Sequence, residues 1–168
     1  MEYFDVVDED DNVVGVATRQ DCHKKKLLHR SVMFFVLDQK GRIFVNKRSK
    51  DKEFFGGMWS IVLGGHVESG ERYDRAVMRE AEEEAGIRAA PFKIGFFKKR
   101  MPEEKENVSV YGFRVDNKPR LLSGEIEFGD FMTLDEAEAK MNVEKFIPET
   151  TQLLPLLRGH LKAYHSAD

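Results

Sequence analysis

The stretch GGHVESGERYDRAVMREAEEEAGI, Gly64 to Ile87, decides how the rest of the chain is read. Within it Gly65 is followed after five residues by Glu71, and after seven more by the run Arg79, Glu80, Ala81, Glu82, Glu83, Glu84, Ala85, Gly86, Ile87. Tyr73 to Ala85 holds no proline or glycine and is rich in Ala, Glu, Arg and Met, so its composition predicts a helix that Gly86 stops. On that helix Glu80, Glu83 and Glu84 point one way, while Ala76, Val77, Ala81 and Ala85 cover the opposite, buried stripe.

Like charges at this spacing repel by roughly 0.2–0.5 kcal/mol per pair, so the helix loses stability unless cations sit between the carboxylates. Carboxylate oxygens suit hard divalent ions. Magnesium in particular keeps several waters and shares its shell with substrate phosphates, which points to Mg2+, with Mn2+ as the alternative. An isolated acidic run is more often a solvated helix face; the glycines and the arginine at fixed spacing are what set this one apart. Gly64, Gly65 and Gly70 frame a loop before the helix that can bring carbonyls to a metal, Gly65 first among them. Arg79 is expected to pair with the carboxylates and fix their orientation.

Working outward, 168 residues with 41% hydrophobic and 34% charged content fit one globular domain with a sizeable core. No apolar run approaches a membrane span, and MEYFDVVDEDD lacks a secretory pattern, so the cytoplasm is the expected compartment. The single cysteine, Cys22, has no internal partner and reads as a structural thiol. A net charge of -3 gives no bulk attraction to nucleic acid or acidic membranes, although His23 to Lys26, Lys47 to Lys52 and Lys98 to Arg100 are locally basic. The expected partner is a small molecule, and a homodimer is left open.

Alternation predicts a hairpin from Phe4 to Val7 and Val13 to Thr18, then strands at Ser31 to Leu37, Ile43 to Lys47, Ser60 to Leu63, Lys93 to Lys99, Val108 to Val115 and Ile126 to Met132. A short helix follows the Thr133 N-cap, and a C-terminal one runs from Pro148 to about Tyr164, bent or divided at Pro155.

The spacing G-x5-E-x7-R-E-U-x-E-E-x-G-U, with U apolar, is that of the Nudix box; every slot is filled, and Ala81 is the one small choice. The chain therefore resembles the Nudix hydrolase superfamily. The segment LLHRSVMFFVLDQKGRIFVNKRSKDKEFFGGMWS, with the hairpin before it, extends the resemblance over Asp5 to Phe146 and looks like the subset related to isopentenyl diphosphate isomerase. The implied fold is α/β, a Nudix-type α/β/α sandwich around a mixed β-sheet, as a single domain over residues 1–168.

The isomerases carry a cysteine in W-T-N-x-x-C-x-H, and the matching stretch here runs from Trp59 to His66 with Gly64 at the cysteine's place. Glycine has no group to protonate an alkene, so that chemistry is expected to be lost. The same resemblance places His29, His66, Glu104 and Glu106, and approximately His23, where a second metal is held.

From the box, the resemblance implies hydrolysis of a diphosphate linkage in a nucleoside diphosphate derivative or related organic diphosphate. The expected metal ligands are Gly65, Glu80, Glu83 and Glu84. Glu83 is the first candidate for the base that activates water, and Glu125 in SGEIEF the second. Glu71 orients the loop, and Lys47 and Arg48 at a strand end neutralise the diphosphate. An isomerase-like enzyme and a non-catalytic diphosphate-binding module are the alternatives. Loops Asp51 to Met58 and Phe97 to Val108 are expected to read the rest of the substrate, with Phe54, Phe55, Phe96 and Phe97 as candidates to stack on a base.

Overall fold

The computed structural model describes residues 1–166. Thirteen elements follow in order: β1 (Tyr3–Val7), β2 (Val13–Thr18), α1 (Arg19–Lys24), β3 (His29–Leu37), β4 (Ile43–Arg48), β5 (Trp59–Ser60), β6 (Leu63–His66), α2 (Tyr73–Ala85), β7 (Phe92–Arg100), β8 (Lys105–Arg114), β9 (Ile126–Met132), α3 (Leu134–Met141) and α4 (Thr150–Ser166). β1 and β2 form the expected hairpin. The remaining strands make one mixed sheet in the order β5-β4-β3-β8-β7, with β6 also on β3 and β9 on β4; β3 and β8 run parallel, the other neighbours antiparallel.

Period-two alternation along β3 builds both layers of the core. Val32, Phe34 and Val36 face Ala76, Val77, Ala81 and Ala85 of α2, whereas Phe35 and Leu37 face Ala137 of α3 and Leu153, Leu157 and Leu161 of α4. Helices thus cover both faces of a mixed sheet. Among the described residues no helix is long and apolar enough to cross a membrane.

Four expectations are corrected. The strand foreseen over Ser60 to Leu63 is two, because Ile61 and Val62 cross from a partner on β4 to a partner on β3. Gly64 and Gly65 belong to β6 rather than to a loop, opposite Met33 and Val32. Their lack of side chain serves close approach: a Cβ on Gly64 would press on the Val32 carbonyl. Only Gly70, at φ +81°, and Gly86, at φ +66°, use the left-handed region in this stretch. α1 was not foreseen; Thr18 caps it by accepting the Asp21 N–H at 3.1 Å. Finally, α4 runs unbroken across Pro155. Burial of Leu153, Leu157 and Leu161 on the sheet outweighs the backbone bond that proline removes.

Candidate functional site

β6 ends and α2 begins around one cleft, and both supply it with polar groups. A Cβ on Gly65 would collide with the Glu80 carboxylate, so the glycine leaves room for that carboxylate beside the β6 backbone. Gly65, Arg79, Glu80, Glu83 and Glu84 all line the cleft, and Arg48, Lys52, Ser123 and Glu125 line it too. The expected acidic face is not evenly solvated: the Glu83 side chain is 60% exposed, but that of Glu80 is 13% exposed and Glu84 is buried. Glu84 turns inward because the α2–sheet interface continues under it.

Arg79 organises this end of the cleft. Its Nε and Nη2 donate to the two oxygens of Glu71 at 2.9 Å each, Nη1 donates to Glu80 at 2.9 Å and to Glu83 at 3.3 Å, and Nη2 also donates to the His66 carbonyl at 3.0 Å. Burial alone would push the Glu71 carboxyl up, but Arg79 and the Glu68 N–H outweigh it and hold it below the usual range. Glu80 goes the other way. Its burial dominates even with Arg79 beside it, and its carboxyl is raised.

Glu84 meets Glu125 on the far side, with Ser123 Oγ donating to Glu84 at 3.2 Å and Lys52 lying 3.2 Å from Glu125. Burial, then the neighbouring Glu125, raise Glu84 to about 9, while Glu125 is lowered by that same contact. Without a cation the two acids share one proton. A divalent ion among Gly65, Glu80, Glu83 and Glu84 would suit this donor set, since it would take the place of that proton as counter-charge.

The two basic residues at the end of β4 part company. Arg48 is in the cleft, where Nη2 donates to the Phe54 carbonyl at 3.0 Å and the buried Nε has no hydrogen-bond partner. Burial lowers its pKa, with Glu149, Glu125 and Glu84 opposing. Lys47, one residue away on the strand, lies between Trp59 and Phe128 in the sheet and does not line the cleft. Of the four phenylalanines, Phe54 and Phe55 line the cleft and Phe96 and Phe97 do not.

The second cluster suggested by the resemblance is brought together at the cleft floor. Pairing of β3 with β8 sets His29 opposite Glu106, pairing with β6 sets His66 opposite Ser31, and α1 adds His23. Candidate ligand atoms of His23, His29, His66 and Glu104 lie within 4.8 Å of one another. His29 Nδ1 donates to the Leu27 carbonyl at 2.8 Å, which leaves Nε2 as the lone-pair nitrogen, and the Nε2 atoms of all three histidines are buried without a hydrogen-bond partner. Glu106 Oε1 stands 3.9 Å from His29 and 3.7 Å from His66. Burial keeps His23 and His29 below the usual imidazole range, whereas Glu104 and Glu106 outweigh burial at His66 and raise it to about 9.

Sequence reasoning overlooked Lys99 and Glu149 here. Buried Lys99 Nζ lies 2.7 Å from Glu104, 3.8 Å from Glu106 and 3.9 Å from Glu149, and so balances the acids from behind. Their signal was faint: Lys99 closes a basic run on a strand, and Glu149 follows Pro148 at the start of a helix.

The sequence pattern of the NUDIX domain matches residues 27–154. The chain belongs to the Nudix family. A relative from Streptomyces coelicolor, the uncharacterized Nudix hydrolase SCO1686, is 34% identical over 94% of this chain and 89% of its own length. The uncharacterized Nudix hydrolase YfcD of Escherichia coli K12 is 32% identical over 92% of this chain and 86% of its own. In structure the Nudix chain is similar to DR0079 from Deinococcus radiodurans, with a TM-score of 0.80 and 27% identity over 92% of this chain and 98% of that one. The Nudix domain of Shewanella oneidensis NrtR, at 14% identity and a TM-score of 0.64 over 86% of this chain and 99% of that one, shares the fold. The relatives from Streptomyces coelicolor and Escherichia coli bear the name of Nudix hydrolases, and neither singles out the isomerase subset.

With burial and Glu125 raising Glu84 to about 9, a divalent ion bound beside the Glu84–Glu125 pair would displace the proton that the two acids share. Apparent affinity for Mg2+ should therefore rise from pH 6 to pH 9, and calorimetry in buffers of different ionisation enthalpy should show about one proton released per chain at pH 7. A flat affinity with no proton release contradicts the assignment.

Proposed function

We propose that this Nudix protein hydrolyses the diphosphate linkage of a nucleoside diphosphate derivative or related organic diphosphate. The observation that carries this reading is the convergence of Glu80, Glu83, Glu84 and the Gly65 backbone on one cleft with Arg48 and Lys52. Acidic groups suited to Mg2+ or Mn2+ and basic groups suited to phosphate oxygens thus line the same space. The cleft measures about 670 Å³, within the size of small-molecule sites. A bound divalent ion would polarise the phosphoryl oxygens and acidify water.

The chain's own residues do the rest. Arg79 and Glu71 hold the box carboxylates in place. Glu83, the most exposed of the three box ligands, accepts the proton of the attacking water; Glu125, tied to Lys52, is the second candidate. As the water oxygen bonds to phosphorus, the bridging P–O bond breaks and its electrons leave with the released phosphate. Arg48, with an unpartnered buried Nε, binds the diphosphate. Phe54 and Phe55 flank the position of the organic moiety. An isomerase-like reaction has no support at Gly64, which offers no titratable group at the place it would be needed.

The histidine cluster favours an additional reading. The buried Nε2 atoms of His23, His29 and His66 beside Glu104 and Glu106 form a nitrogen-and-carboxylate donor set for a transition-metal ion such as Zn2+ or Mn2+, which would displace the proton the two acids favour on His66; this set is distinct from the all-oxygen box site.

Phosphate-release assays over nucleoside diphosphate sugars, dinucleotides, nucleoside triphosphates and isoprenyl diphosphates should show Mg2+-dependent turnover of at least one class. Glu83→Gln should lower kcat by about a hundredfold or more with native circular dichroism; a near-native rate removes Glu83 from the mechanism. Elemental analysis of protein purified without chelator should find close to one transition-metal ion per chain, lost in His29→Ala; absence of metal from the wild-type protein contradicts the second centre.

A further inference from the structure

β1 lies outside residues 27–154, the part matched by the family pattern, yet it grips the loop that leads into the box helix. Tyr3 O accepts the Ser69 N–H at 2.8 Å. Two residues on, the mostly buried Asp5 carboxylate uses both oxygens on the same loop: Oδ1 accepts from Ser69 Oγ at 2.7 Å and Oδ2 from the Gly70 N–H at 3.1 Å. Gly70 sits at φ +81°, and Glu71, the residue that chelates Arg79, comes next.

We infer that Asp5 is a positioning residue for the box: by fixing Ser69 and Gly70 it places Glu71, and through Glu71 and Arg79 it sets the carboxylates of Glu80 and Glu83. The other end of the loop is held where Val67 N–H donates to Arg30 O at 3.0 Å. Between that point and α2 the loop's own bonds join only Glu68 to Glu71, through Glu71 N–H to Glu68 O at 2.9 Å and Glu68 N–H to Glu71 Oε1 at 3.1 Å. These internal bonds shape the turn but tie it to nothing else. Two ties join it to the rest of the molecule: Arg79, which meets Glu71 and stands 4.0 Å from Glu68, and β1, which holds Ser69 and Gly70.

The hairpin is anchored to the rest of the molecule at further points. Val7 N–H donates to Leu28 O at 2.9 Å, and the Asp11 carboxylate at its tip accepts from Arg30 Nε on β3 at 3.1 Å, Tyr73 Oη on α2 at 2.9 Å and Asn107 Nδ2 on β8 at 2.9 Å. Those anchors do not involve Asp5. Removing its carboxylate should therefore leave the hairpin docked and loosen the loop at Ser69 Oγ and Gly70. A carboxylate also suits the position chemically, because it accepts from a hydroxyl and an amide N–H at once and has no donor to turn against either.

The inference rests on the box being the cation site, so its test reads cation binding without substrate. Mn2+ titration of the full chain in a His29→Ala background, which removes the histidine centre, followed by the electron paramagnetic resonance signal of free Mn2+, should give a half-saturation about tenfold higher with Asp5→Ala than with Asp5 intact. Asp5→Asn, whose amide oxygen still accepts from one donor, should recover most of the loss. Asp8→Ala is the control: the Asp8 carboxylate accepts from Asp10 and Asn12 in the hairpin turn and does not reach the loop, so its loss should lower thermal stability with unchanged Mn2+ affinity. If Asp5→Ala does not fold, Ser69→Ala, which deletes one of the three bonds, should weaken Mn2+ binding about threefold with native circular dichroism. Wild-type Mn2+ affinity in a folded Asp5→Ala or Ser69→Ala, or an equal loss in Asp8→Ala, overturns the positioning role. If the wild-type box takes up no Mn2+, the reading of the box fails first and this inference with it.

Discussion

Arg79 supplies the counter-charge that lets Glu71, Glu80 and Glu83 crowd one end of a partly buried cleft. Without it the box carboxylates would repel one another with no counter-charge between them. Its partners also tie the helix to what surrounds it, since the His66 carbonyl belongs to β6 and Glu71 to the loop. One side chain thus joins strand, loop and helix. A guanidinium suits the task because its planar fork serves one carboxylate with two parallel bonds and still has donors left for others.

The short run Gly64 to Val67 serves two polar centres at once. Gly65 leaves space for Glu80, and His66 sends its carbonyl to Arg79 and its imidazole to the cluster of His23, His29 and Glu104. That is why β6 must lie close on β3: the approach allowed by Gly64 and Gly65 sets both centres on the same strand register. The hairpin then braces the loop from the opposite side.

Much of this was legible from the residues, and the reasons differ by element. α2 could be read to its last residue because propensity, a left-handed glycine stop and an apolar stripe agree. β3 and β8 announced themselves as long apolar runs. Whether Lys47 or Arg48 enters the cleft could not be read, because neighbours on a strand face opposite ways and the register of β4 on β9 shifts between those two residues. α1 escaped notice because six residues carry too little periodicity, and with it went the placement of His23. The inward turn of Glu84 was hidden for another reason: a carboxylate at the edge of an apolar stripe looks solvated until the sheet beneath it is known. Lys99 and Glu149 were missed because they are far apart in sequence and meet only when α4 docks beside β7.

The central claim is that a divalent cation belongs among the box carboxylates. Anomalous diffraction from Mn2+-soaked crystals tests it most directly. The claim predicts a peak bounded by the carboxylates of Glu80, Glu83 and Glu84 and the Gly65 carbonyl. Manganese found only at the histidine cluster would contradict it.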